Sequence, residues 1–187
     1  TVLFVALLAS GDGRISVLDV ASGKLVFRTD RHKDLFARCI LPCDPYIWVG
    51  FSDGFVRVFD AVTHNVIKEV KEHAGAVHCF ARSGCGTLSF SGSDDFVVNV
   101  WNAVTCDRLS ILAGHKAAVR ALCVVGNHLY SGGDDGVIIE WDVSRKTGFE
   151  ARRPEDVGWG RAQTLGVSGA ALRKLSGHRG AVRALTF

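Results

Sequence analysis

The chain has 187 residues, of which 48% are apolar and 22% charged. That is long enough for a sizeable core and too apolar for a disordered segment. A formal net charge of +3 is too small to drive binding to nucleic acid or a membrane surface, and 21 glycines against 3 prolines suit many tight turns between short strands.

The first element is the apolar run "VLFVALLA", residues 2–9. No basic segment precedes it and it is too short to span a bilayer, so it reads as a strand and not as a targeting segment. The absence of methionine implies that the sequence does not start at an initiator residue. Four stretches then align: "SGDGRISVLD" (10–19), "SDGFVRVFD" (52–60), "SDDFVVNVWN" (93–102) and "GDDGVIIEWD" (133–142). They recur at about 40 residues, the period of a repeat architecture. After each of the first three come a polar turn, a short apolar run and a histidine: His32, His73 and His115. Another apolar run follows each histidine. The runs are β-branched and aromatic, bounded by Asp-Gly or Asp-Asp turns, with no helical periodicity. Four short strands per period predict one antiparallel sheet per repeat.

The six cysteines form no CxxC pair. They read as reduced strand residues of an intracellular protein, cytoplasmic or nuclear, with neither metal nor disulfide.

The stretch "LAGHKAAVRAL…LYSGGDDGVIIEWD" resembles a WD repeat, the unit of a β-propeller, and the four copies in register carry the resemblance over nearly the whole chain. It implies an all-β fold of four-stranded antiparallel blades. Counting strands gives half a repeat at 2–19, full repeats at 24–60, 65–102 and 107–142, and half a repeat at 171–187. This amounts to about four blades, read as a segment of a longer ring. The resemblance further implies a buried hydrogen-bonded tetrad in each blade. His73, Ser91, Asp95 and Trp101 supply one set, and His115, Ser131, Asp135 and Trp141 another. In the copy before them Asp53 is kept, but Val49 and Phe59 stand at the Ser and Trp positions. The earliest copy has Leu8, Asp12 and Leu18. Those two blades are expected to rely on apolar packing.

A Ser, a His and an Asp together invite a hydrolase reading. Tiling at the repeat period argues instead for architecture, and the Gly-rich turns lack the lysine and following helix of a phosphate loop. No catalytic residue, cofactor or metal site is expected. Between Trp141 and His178 an insertion, 144–169, replaces a short connection between blades; it is rich in Gly and charge. It is expected to be a loop, or a docking segment anchored by Arg152, Arg153 and Trp159.

These features predict a non-enzymatic scaffold that binds a protein or peptide on a propeller face. Candidate contacts follow the blade histidines: Lys33, Asp34, His78, Lys116, Arg120, Arg179 and Arg183. The basic group Lys116, Arg120, Arg179 and Arg183 suggests an acidic or phosphorylated partner. No membrane partner is expected, and nucleic acid is disfavoured. Two alternatives remain. One is the substrate-recruiting propeller of a ubiquitin ligase, approached by "WDVSR" with its Arg145 one residue late. The other is a regulatory propeller on a catalytic domain, such as a lipid phosphatase or kinase, outside these residues.

Overall fold

The computed structural model describes residues 4–8, 15–19, 24–28, 35–144 and 170–186. They contain only strands: β1 (Phe4–Leu8), β2 (Ile15–Asp19), β3 (Leu25–Arg28), β4 (Ala37–Cys43), β5 (Tyr46–Phe51), β6 (Phe55–Asp60), β7 (Val66–Lys71), β8 (Val77–Arg82), β9 (Leu88–Ser93), β10 (Val97–Asn102), β11 (Arg108–Ala113), β12 (Val119–Val125), β13 (His128–Gly133), β14 (Val137–Asp142) and β15 (Ala171–Ser176). Three four-stranded sheets, β4–β7, β8–β11 and β12–β15, follow a three-stranded sheet, β1–β3. Every pairing joins strands adjacent in sequence and is antiparallel. The fold is all-β, as the resemblance implies.

Sheets and sequence repeats are out of phase by one strand. The stretch 24–60 holds β3 to β6, yet β3 pairs with β2 and β7 completes the sheet begun by β4. Each sheet is thus finished by the chain that opens the next repeat, which laces neighbouring sheets together.

Local sequence explains the hairpins. Gly54 (φ 85°) and Gly136 (φ 72°) take the left-handed conformation that the tight β6 and β14 turns require. In the copy without glycine Phe96 occupies the same region (φ 71°), with a half-exposed ring.

The first strands β4, β8 and β12 lie side by side, and β7, β11 and β15 are the outermost. The sheets therefore pack face to face around a common axis, as blades. Two apolar clusters fill the seams. Trp101 of β10 packs into a cluster with Trp48, Val56 and Val58 of the preceding sheet, and Trp141 of β14 into one with Phe90, Val98 and Val100. Glycines allow the close approach. A Cβ on Gly50 would lie 2.7 Å from Val77 Cγ1, and one on Gly92 would lie 2.7 Å from Val119 Cγ1. Beside them the buried thiols of Cys39 and Cys79 face the Val77 and Val119 carbonyls at 3.4 and 3.8 Å. Burial pushes the Cys79 thiol up to about 12, so it is an inert packing group.

Residues 181–186, expected as the inner strand of a further blade, take no strand conformation. A first strand needs a sheet partner, and none pairs with it among the described residues. Of the insertion, only Ser144 is among the described residues; Arg152, Arg153 and Trp159 lie outside them. No helix among the described residues is long and apolar enough to cross a membrane.

Candidate functional site

The histidine loops and the Asp-containing turns meet at one end of the sheets. His73 precedes β8, Asp95 sits in the turn between β9 and β10, and Ser91 and Trp101 lie on those strands. His73 Nδ1 is 2.8 Å from Asp95 Oδ2, and His73 Nε2 is 2.7 Å from Ser91 Oγ. Trp101 Nε1 donates to the same Ser91 oxygen at 2.8 Å. The second set repeats this geometry. His115 Nδ1 lies 3.0 Å from Asp135 Oδ2, His115 Nε2 lies 2.8 Å from Ser131 Oγ, and Trp141 Nε1 donates to Ser131 Oγ at 2.8 Å.

An ionised carboxylate only accepts, so Nδ1 carries the histidine proton. Nε2 then accepts from the serine hydroxyl, and the serine oxygen accepts from the indole. Each Asp also takes two backbone N–H groups: Ala74 and Val97 on Asp95, Lys116 and Val137 on Asp135. Ser91 and Ser131 are wholly buried and doubly bonded, so neither hydroxyl meets solvent or a substrate. The arrangement is a clamp across a loop, a turn and two strands. In sheet β4–β7, Val49 and Phe59 sit instead in an apolar cluster with Ile47, Phe51 and Ala61. Asp53 there accepts from the Phe55 N–H at 3.1 Å, and His32 lies outside the described residues.

The candidate contact residues separate into two kinds. Arg120 is engaged on all sides. Its Nε and Nη2 bond to Asp134 at 2.8 and 2.7 Å, and its Nη1 lies 3.2 Å from Asp94 and 2.5 Å from His78 Nε2. His78 Nε2 is also 2.8 Å from Asp94; a single ring nitrogen either accepts from Arg120 or donates to Asp94. The Arg120 hydrogen bond holds Asp134 below the usual carboxylate range, and the same bond raises Arg120. Lys116, Arg179 and Arg183 are exposed. Among the described residues no side-chain hydrogen bond or ion pair engages them, although Arg183 is close enough to Asp134 to lower its pKa. Lys33 and Asp34 lie outside the described residues, as does Arg145. Sequence reasoning passed over Asp94 and Asp134. The signal was present in the doubled aspartates of "SDD" and "GDD": the second closes the tetrad and the first pairs with Arg120.

A family model described as "WD domain, G-beta repeat" matches residues 64–102 and 106–142, the stretches that carry the two clamps. Residues 64–102 and 106–142 are WD repeats. Among curated relatives, this WD-repeat chain is 31% identical to Myosin heavy chain kinase C of Dictyostelium discoideum over 119 residues, covering 63% of this chain and 15% of that protein. It is 22% identical to the WD repeat-containing protein 55 homolog of the same organism over 172 residues, covering 70% of this chain and 42% of that protein. The WD-repeat chain thus spans less than half the length of these relatives. A chain in the crystal structure of the Mitotic Checkpoint Complex superposes on all of it with a TM-score of 0.77, at 19% identity, and 50% of that chain is covered. WD-repeat propellers are in general protein-interaction scaffolds without chemistry of their own.

The clamps make the stability of the WD-repeat chain pH-dependent. Burial pushes Asp95 and Asp135 up, but the hydrogen bonds from His73, His115 and four backbone amides outweigh it, and both carboxyls lie below the ordinary range. A depressed folded-state pKa stabilises above the unfolded value and is lost as pH falls through the folded one. The urea midpoint of the wild type is therefore expected to drop as pH falls below about 4. The Asp95→Asn, Asp135→Asn double variant should show a shallower drop, and an identical profile would contradict the assignment.

Proposed function

We propose that this chain is a non-enzymatic interaction scaffold that binds an acidic or phosphorylated peptide of a protein partner on the face carrying the histidine loops. The observation that supports this most is the division of charge at that face. Arg120 is neutralised by Asp94 and Asp134 and acts as frame, while Lys116 in the loop before β12 and Arg179 and Arg183 in the segment after β15 present exposed cations. Exposed guanidinium and ammonium groups held on rigid loops suit carboxylate or phosphate recognition. The clamps beneath keep the loops in place and occupy the serines and histidines that chemistry would need. Free thiols at all six cysteines fit an intracellular setting, cytoplasmic or nuclear.

A regulatory propeller on a separate catalytic domain is the second reading. It is favoured by the likeness to a named kinase of which only 15% is covered.

The test is binding to arrays of acidic and phosphorylated peptides. Replacing Lys116, Arg179 and Arg183 together by Glu should weaken the captured peptides by about tenfold or more, and with a lower salt dependence. Arg120 is unsuitable for this purpose, since its loss leaves two aspartates unpaired. Undiminished capture by the triple variant would overturn the proposal.

A further inference from the structure

The turns between the second and third strands of the three four-stranded sheets share one hydrogen-bond register. The Gly54 N–H bonds to the Phe51 carbonyl at 3.3 Å, the Phe96 N–H to the Ser93 carbonyl at 3.2 Å, and the Gly136 N–H to the Gly133 carbonyl at 3.1 Å. All three residues occupy the left-handed region, at φ 85°, 71° and 72°. Glycine enters that region freely, whereas a bulky side chain is strained there. Packing does not offset the strain at Phe96. Its ring is 46% exposed and belongs to none of the buried apolar clusters. Cys106, also at positive φ (59°), differs: its side chain is buried within such a cluster.

The two glycine turns show what this position faces. A Cβ on Gly54 would fall against the His73 carbonyl oxygen, and one on Gly136 would lie 2.9 Å from that of His178. Each time the contact is the loop at the next histidine along the chain. For the β9–β10 turn that loop is His115 to Ala118, just before β12. Asp94 of the same turn already reaches that sheet, 3.2 Å from Arg120 Nη1. By this register Phe96 borders the loop that carries the exposed Lys116.

We infer that Phe96 sets the specificity of the peptide-binding face: it takes an apolar side chain of the bound segment while Lys116 takes the acidic or phosphorylated residue beside it. The inference rests on the peptide reading above and narrows it. The chemistry of the occupant follows from an exposed ring and an exposed ammonium group at one seam. An anionic group alone would leave the ring in water, and an apolar group alone would leave the cation without a counterpart. A linear segment offers both at neighbouring residues. The fold itself asks only for glycine at this turn, as Gly54 and Gly136 show, so strain kept at an exposed aromatic residue points to a contact.

The test uses the intact protein and the acidic peptides of the array in matched pairs, with leucine or serine next to the glutamates. The unaltered protein should hold the leucine member about tenfold more tightly. Phe96→Gly should bring that member down to the serine level. Its melting midpoint should be equal or higher, because glycine relieves the strained turn. Phe96→Asn serves as a second variant, since asparagine also tolerates the left-handed region. Equal binding of the two members by the unaltered protein, or a preference that survives in both variants, overturns the inference and leaves the peptide reading standing. A lowered midpoint in both variants shows a packing group and overturns it too. Capture of neither member rejects the peptide reading and this inference with it.

Discussion

Replacing Asp135 by Ala should destabilise the protein by about 2–4 kcal/mol. Asp135 accepts from His115 Nδ1 and from the backbone N–H groups of Lys116 and Val137. The variant leaves all three donors without their partner, and His115 is 8% exposed, so water cannot restore them all. Each bond contributes only roughly 0.5–1.5 kcal/mol net, but an orphaned buried donor incurs its full desolvation cost. Asp135→Asn should cost less, because an amide oxygen still accepts. Urea denaturation at neutral pH measures both. A loss below about 0.5 kcal/mol in the Ala variant, the size expected of a plain surface change, would contradict the clamp.

Trp101→Ala should cost about 3–5 kcal/mol, the range for emptying a large buried aromatic site. Trp101 is fully buried and lies edge-on to Trp48, with ring centroids 5.8 Å apart and planes inclined at 68°. It therefore fills the seam between two sheets as well as closing a clamp within one. Trp101→Phe separates these roles. It keeps most of the seam contact and removes only the indole donor to Ser91, so it should cost about 0.5–1.5 kcal/mol plus a smaller packing loss. Equal losses for Ala and Phe in a denaturation series would mean that the hydrogen bond, and not the seam, is what Trp101 supplies.

The sheet order was legible because repetition in sequence became repetition in space. Alternating apolar residues and Asp-Gly turns specify hairpins locally, and short turns join the consecutive strands within each described sheet except β14 and β15, which the insertion separates. The residues of the two clamps were legible by register for the same reason. The pairing of charge around Arg120 was not. Arg120 read as one more exposed cation, because nothing within its own strand announces a partner. The partners come from two different turns, Asp134 in its own sheet and Asp94 in the preceding one. Nothing in the strand pattern marks Glu140 as buried. Its 3% exposure depends on Arg173, which returns to the sheet only after the insertion. Gly50, Gly92 and Gly132 each offer a notch to a valine, Val77, Val119 and Val182, that lies much further on in the chain. Contacts between sheets join residues about a whole repeat apart, and a strand pattern reports which face is apolar without reporting what lies against it.

The central claim is that the buried Ser, His, Asp and Trp sets are frame and that the exposed cations above them are the contact surface. Melting and peptide binding measured together on two variants test it most directly. Asp135→Ala should lower the melting midpoint while the molecules that remain folded still bind the acidic or phosphorylated peptide. The Lys116→Glu, Arg179→Glu, Arg183→Glu variant should melt with the wild type and lose that peptide. Peptide binding that survives the triple charge reversal, or a midpoint indifferent to the loss of Asp135, would contradict the account.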